Sequence, residues 1–388
     1  GVASGIAVGA LLVGSVGGTA LAGVGQAVSV LGSAIAAVPL ARIAAARSRR
    51  AALTGGYLLA VLGAIVVIGS AVAGALMPLL VGLGLFGVAT AAGLQTRYAA
   101  ADVADPTTRG RTLSLVVWGT TIGSVLGPNL STVGARLGER VGVPGLAGPY
   151  LFSVVAFTLA ALVIRILLPI PPASEQPTAD HAPGRGPARP VSAWAAVGWA
   201  MRHRVARFAL LLIAVAHAVM VRVMSMTPLH IEHHGHGLQL VGLVISLHIL
   251  GMYALSPVFG LIADRWGAMP VAFGALVTLA ISLVLGAVAG PTGNMTLTTV
   301  ALVALGLGWS MALIASSALF AGVDSGEVRV PLQGATDALM SYSGAAAAVL
   351  GGPLIALIGY AGLNLVSMAV LVPATVFGLF AAGTRPKA

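Results

Sequence analysis

Apolar residues along this chain fall in long blocks, separated by short charged or proline-containing stretches, with no alternation at a period of two. Blocks of this length read as helices rather than barrel strands, since a helix rising 1.5 Å per residue needs about 20 apolar residues to cross a hydrocarbon core. The pattern predicts twelve of them, at 1–18, 22–41, 52–73, 77–96, 113–135, 149–169, 206–228, 238–262, 270–289, 296–319, 332–355 and 362–383. Lipid cannot satisfy loose backbone groups, so each block is expected to be a long, unbroken helix. Between the sixth and seventh, residues 170–205 change character. The first part is rich in proline and polar residues and reads as a flexible linker. Trp194, Trp199 and the basic run at 201–207 then predict a short helix on the membrane surface. The expected organisation is a bundle at 1–169, the linker with its surface helix at 170–205, and a second bundle at 206–388.

Composition supports an all-α membrane protein. Hydrophobic residues make up 58% of the 388 and charged residues only 8%, against about 25% charged in a soluble domain. The mean hydropathy is +1.01. The 52 glycines fit helices that approach closely in lipid. A net charge of +10 invites a nucleic-acid reading, but the basic residues sit between apolar blocks rather than on one soluble stripe. Their distribution is a topology signal. Arg42, Arg47, Arg49, Arg50, Arg97, Arg109, Arg111, Arg185, Arg189, Arg202, Arg204, Arg207, Arg265, Arg329, Arg385 and Lys387 fall in one set of connections, and only Arg136 and Arg140 in the other. Sixteen against two places the first set, both termini and the linker in the cytoplasm of a multi-pass plasma (inner) membrane protein. No cysteine is present, which excludes disulfides and thiolate metal sites. The first block, from Gly1, shows no signal-peptide pattern.

The halves repeat at a fixed offset. Ser48 and Gly267 each follow the second helix of a half, 219 positions apart; Asp105 and Asp324 are also 219 apart, Arg111 and Arg329 are 218 apart, and Gly127-Pro128 and Gly352-Pro353 are 225 apart. After the eighth span the chain reads Gly260-Leu-Ile-Ala-Asp264-Arg265-Trp266-Gly267. This resembles the G-x-x-x-D-R-x-G loop signature of the major facilitator superfamily. The resemblance implies twelve helices in two pseudo-symmetric six-helix bundles that expose a cavity alternately to each side. A carboxylate at such a helix end can cap a neighbouring helix and pair with Arg, so Asp264 and Arg265, with Gly260 and Gly267, are the expected cytoplasmic gate. In the first half the matching run keeps Arg47, Arg49 and Arg50 but has no acid; Arg111 completes the set. Span five carries Gly119, Gly123, Gly127 and Pro128, similar to the antiporter motif of drug-exporting members, with Ser131 and Thr132 where its last glycines belong. The same spacing also makes a plain small-residue packing face. The buried arginine expected in span four is absent, with Leu83 near its place.

Ionisable groups at bilayer depth are rare, because each costs at least about 2.5–3.5 kcal/mol for Asp, Arg or Lys at the centre. His217, His248 and Asp337 are the candidate proton-coupling groups, with His217 and His248 both expected near the midplane in one pocket. An imidazole that is wet in one conformation and dry in the other would gain and lose a proton each cycle; a single interhelical hydrogen bond is the plainer alternative. Arg222 can snorkel or attract an anionic substrate. Gln26, Gln95, Thr120, Thr121, Asn129, Trp309 and Ser310 are expected, with Arg222, to line a largely apolar cavity. Outside the membrane, His230, His233, His234 and His236 can bind a divalent metal, sense pH or simply be solvated.

The function expected is secondary active transport: proton-coupled export of small apolar or amphipathic molecules. Uptake of a neutral metabolite, or divalent metal efflux through the external histidines, are the transport alternatives. A non-transporting membrane sensor or scaffold is the alternative class. No phosphate loop, thiol or paired carboxylates indicate an enzyme. No cofactor is expected; the partners are membrane lipid, a small-molecule substrate and protons, without nucleic acid, and the chain is expected to act as a monomer.

Overall fold

The apolar blocks fold as helices in the computed structural model, which describes residues 2–17, 22–168, 191–236, 238–322 and 328–383. In chain order these are α1 (Val2–Gly17), α2 (Ala22–Ala46), α3 (Arg49–Ala73), α4 (Leu76–Val103), α5 (Arg109–Arg140), α6 (Pro149–Leu167), α7 (Ala193–Arg202), α8 (Arg204–His233), α9 (Leu238–Tyr253), α10 (Ser256–Trp266), α11 (Ala268–Thr292), α12 (Met295–Gly322) and α13 (Arg329–Ala382), with no strand among the described residues. Residues 169–190 of the linker, Asp324, and the tail with Arg385 and Lys387 lie outside them, as do the side-chain surroundings of Gly127, Pro128, Asn129, Ser131 and Thr132 in α5.

Among the described residues, nine helices are long and apolar enough to cross a membrane. Several ends depart from the predicted boundaries. α4 continues to Val103 and takes Arg97, expected in a loop, into the helix. α8 runs on to His233, so the first part of the expected external loop is helical. The predicted span 238–262 is two helices, α9 and α10, parted at Ala254 and Leu255. Pro257 stands in the first turn of α10, where its missing N–H is not needed, and the Ser256 hydroxyl donates to the Tyr253 carbonyl across the break (2.7 Å). Conversely, the last two predicted spans form one 54-residue helix interrupted at Gly359. Its φ of 67° and ψ of −178° belong to a region essentially open only to glycine.

The chain groups into two compact units, each drawing on both sequence halves: residues 1–96, 126–199 and 324–338 form the first, and 97–125, 200–323 and 339–388 the second. In the first unit, Phe86 meets Tyr150 edge-on at 5.1 Å and Phe157 at 5.4 Å, among buried Leu12, Val13, Val67 and Leu83. α2 and α4 touch backbone to backbone there, since a Cβ at Gly87 would run into the Ser29 carbonyl. In the second unit, α8 and α12 are the enclosed helices, with 67% and 61% of their apolar windows buried, against 22% for the span that contains α6. Outer faces stay aliphatic, as at Ile166 (64% exposed) and Leu357 (80%). Lipid tails are as apolar as these side chains, so helix association rests on close packing and hydrogen bonds rather than on burial from water.

Candidate functional site

Asp264 lies in the last turn of α10, and its carboxylate accepts the backbone N–H groups of Gly110 (2.6 Å) and Arg111 (2.7 Å) in the first turn of α5. Those donors have no partner within their own helix, and a negative charge there meets the positive end of the helix dipole. Gly260, one turn back, permits the approach: a Cβ there would collide with the Ser114 side chain and crowd the Gly110 carbonyl. The Ser256 hydroxyl reaches the Ser114 carbonyl at 3.1 Å. Gly267 (φ 88°) turns the chain from α10 into α11. Both carboxylate oxygens are thus taken by backbone. Arg265 is exposed, with its guanidinium 5.7 Å from the Trp266 ring centre, and the Arg111 side chain is also exposed. Arg109 donates to the Ala321 carbonyl at the end of α12 (3.0 Å). Ahead of α5, the Thr107 hydroxyl and then its N–H bind the exposed Asp105 carboxylate and hold its pKa below the ordinary value. A cavity of about 730 Å³ opens beside the cap, lined among others by Arg109, Gly110, Arg202, Arg204 and Asp264.

The first unit contains a counterpart. Ser48 caps α3 by accepting the Ala51 N–H (3.1 Å). Arg49 donates to the Gln333 side-chain carbonyl near the start of α13, and Arg50 to the Leu168 carbonyl (2.7 Å from Nε). Gly334 packs on Ala41 and the Ala37 carbonyl. Arg47 is exposed. The position 219 residues before Asp264 is Ala45, and the arginine–amide bond comes instead from Arg49 at the start of α3.

The polar groups expected at membrane depth are dispersed. Trp309 on α12 donates its indole N–H to Nδ1 of His217 on α8 (3.0 Å), and Tyr253 at the end of α9 meets the Trp309 ring edge-on at 5.9 Å. His248 on α9 is fully buried and engages the Leu302 carbonyl through Nδ1 (2.7 Å). Leu302 and Trp309 are seven residues apart on α12, about two turns, so the two imidazoles bond different levels of that helix. Arg222 is 7% exposed. Asp337 (1%) is buried in the first unit, as is Gln95, whose amide donates to the Ala37 carbonyl (2.8 Å). Gln26 and Thr120 are exposed, Thr121 is half-buried, and Ser310 is fully buried beside Trp309.

Two expected constellations look different in three dimensions. His230 is buried, stacked flat on Tyr360 at 4.1 Å, and its carbonyl is 2.9 Å from Nδ1 of His234; His233 and His236 are exposed. No three His, Asp or Glu side chains converge among the described residues. The metal reading is corrected accordingly: α8 continues through His233 and directs His230 inward, so the four imidazoles do not gather. On α5, a Cβ at Gly119 or Gly123 would meet nothing within 4 Å, so this face borders open space rather than a packed helix.

The profile of the Major Facilitator Superfamily matches residues 2–348. The chain belongs to the major facilitator superfamily. The MFS-type transporter YddS of Bacillus subtilis (strain 168) is 35% identical over 372 residues, covering 96% of this chain and 85% of that one. YdeG of the same organism is 36% identical over 94% of this chain and 85% of its own. The crystal structure of the E. coli fucose:proton symporter FucP shares the fold, with a TM-score of 0.74 at 18% identity over 99% of this chain and 96% of that one. The molecule is therefore a multi-pass membrane protein with the major facilitator fold, in a superfamily of transporters rather than enzymes.

Within this superfamily fold, the sequence reading overlooked Arg97. It is 2% exposed, donates to the Ser317 hydroxyl (3.0 Å) and to the Tyr98 hydroxyl (3.0 Å), and covers the Tyr98 ring at 4.4 Å. A usable signal was present: Tyr98 and the small residues 99–101 after Arg97 continue an apolar helix.

Proposed function

We propose that this major facilitator protein exports small apolar or amphipathic molecules in exchange for protons. On this reading it crosses the plasma (inner) membrane twelve times, in pseudo-symmetric bundles at 1–169 and 206–388 joined by 170–205, with both termini cytoplasmic. Adding α1 and α5 to the nine apolar candidates, and dividing α13 at Gly359, supports that count. The antiporter-like run Gly119, Gly123, Gly127 and Pro128 supports export over uptake. The Asp264 cap on α5 supports a closure at the cytoplasmic end that alternating access must break.

One observation carries the coupling: the Trp309 indole N–H points at Nδ1 of His217. Indole is a donor only, so Nδ1 must be the unprotonated acceptor and the ring is neutral. An incoming proton has to land on that nitrogen and thereby displaces Trp309, so the charge on His217 is tied to one side-chain arrangement. His248, with Nε2 enclosed and unbonded, is the second candidate. The test is flux of an amphipathic dye from vesicles of known orientation under an imposed pH gradient. Gradient-driven flux should vanish in folded His217→Ala while downhill exchange persists. Undiminished gradient-driven flux in that variant sinks the coupling.

A further inference from the structure

Arg222 sits eleven residues, about 16 Å, before the end of α8 at His233 and eighteen residues, about 27 Å, after its start at Arg204. The residue is 7% exposed, and its Nε and Nη1 are enclosed without a hydrogen-bond partner. Its carbonyl accepts from the Ser225 hydroxyl, which leaves the guanidinium untouched.

A carboxylate would be the ordinary remedy for such a charge, but among the described residues the helices seen packed on α8 place none beside it. α9, α11 and α12, which pack against α8, contain no acidic residue. Glu232 on α8 itself is exposed, ten residues on, about 15 Å along the axis. On α13, Gly344 lies against His217 and Gly351 against Met226, so the two helices run parallel and the level of Arg222 falls between these glycines. Asp337 is seven residues before Gly344, on the far side of the His217 level. An unpaired cation at this depth is costly. A structural arginine would be paired, as Arg97 is with Ser317 and Tyr98.

We infer that Arg222 is the binding residue for an anionic head group, so that the transported molecule is a monoanionic amphiphile, a carboxylate or sulfonate on an apolar body. This rests on the transport reading above and narrows its substrate class. The guanidinium presents a planar fork that matches a carboxylate or sulfonate in two-point contact. One cation balances one charge, which favours a monoanion over phosphate monoesters and polyanions, while half-buried Val221, Met224 and Met226 on the same helix keep part of their apolar surface exposed.

The test uses the purified full chain and three anionic probes, 1-naphthoate, octanoate and benzenesulfonate, each against its neutral amide, with binding read by thermal shift and titration. At least one anion should bind tenfold or more tightly than its amide. That preference should vanish in Arg222→Gln and survive in part in Arg222→Lys, which keeps the charge without the fork; the lysine variant serves if the glutamine variant does not fold. Equal binding of anions and amides, no binding of any anion, or an intact preference in Arg222→Gln overturns the inference. Vesicle flux separates the two readings. Gradient-driven movement of the amides without preference for the anions removes the anion site and leaves proton-coupled transport standing. Arg222-dependent anion binding without any gradient-driven flux removes the coupling and leaves the site.

Discussion

Replacing Asp264 by alanine strips two backbone N–H groups of a charged acceptor at 2.6 and 2.7 Å. A hydrogen bond to a charged group contributes about 1.5–3 kcal/mol, and a negative charge at a helix N-terminus about 0.3–1 kcal/mol more. Water can reach the N–H of exposed Arg111 but less easily that of Gly110, so the closure should weaken by about 3 kcal/mol rather than the full sum. At 1.4 kcal/mol per decade, this is roughly a hundredfold rise in the open population. The chain has no cysteine, so a single thiol can report it without background. Ser256 is fully buried at the same junction and close in shape to cysteine. In a Ser256→Cys background, alkylation by N-ethylmaleimide should accelerate by about two decades on Asp264→Ala. Asp264→Asn should accelerate it less, because an amide oxygen still accepts one N–H. Labelling rates within roughly twofold of each other would refute the lock.

Trp309→Phe keeps the ring but loses the hydrogen bond to His217, and should lower stability by about 1 kcal/mol; an unchanged melting temperature and unchanged His217 nitrogen shifts by NMR would contradict the assignment. Gly87→Ala should destabilise by about 1–3 kcal/mol, because its methyl group meets the Ser29 backbone. Gly55→Ala, with nothing within 4 Å, should instead stabilise by up to about 1 kcal/mol, and thermal unfolding in detergent distinguishes the two. Gly359→Ala forces a side chain into a glycine-only conformation at a cost of about 1–3 kcal/mol; equal stability to the parent would mean that α13 can straighten there.

Hydropathy located the helices because bilayer depth is written into every apolar residue of a span. It missed their ends for the same reason. A helix can continue past a single charge, as α4 does past Arg97 on Tyr98 and three alanines, or past its apolar run on polar residues, as α8 does to His233. The break at Ala254 is hidden in an apolar run, since the hinge is set by Pro257 and a serine hydroxyl rather than by polarity. The Asp264 signature was legible because each residue acts on nearby backbone: one glycine removes bulk, the acid caps, and the second glycine turns. His217 was legible as a rare group but not in its role. Its partner lies 92 residues away, and no local pattern pairs an imidazole with a distant indole. The histidines at 230–236 misled because density along the chain is not convergence in space: one helical turn directs His230 inward and leaves His233 outside.

The junctions closed by Asp264 and by Arg49 with Gln333 give this duplicated architecture two latches of unlike chemistry. Each is a charged group on a neutral amide but of opposite sign: a carboxylate accepts backbone N–H groups at one, and a guanidinium donates to a side-chain amide oxygen at the other. On the transport reading, a substitution at one junction would retune the resting bias without touching the other.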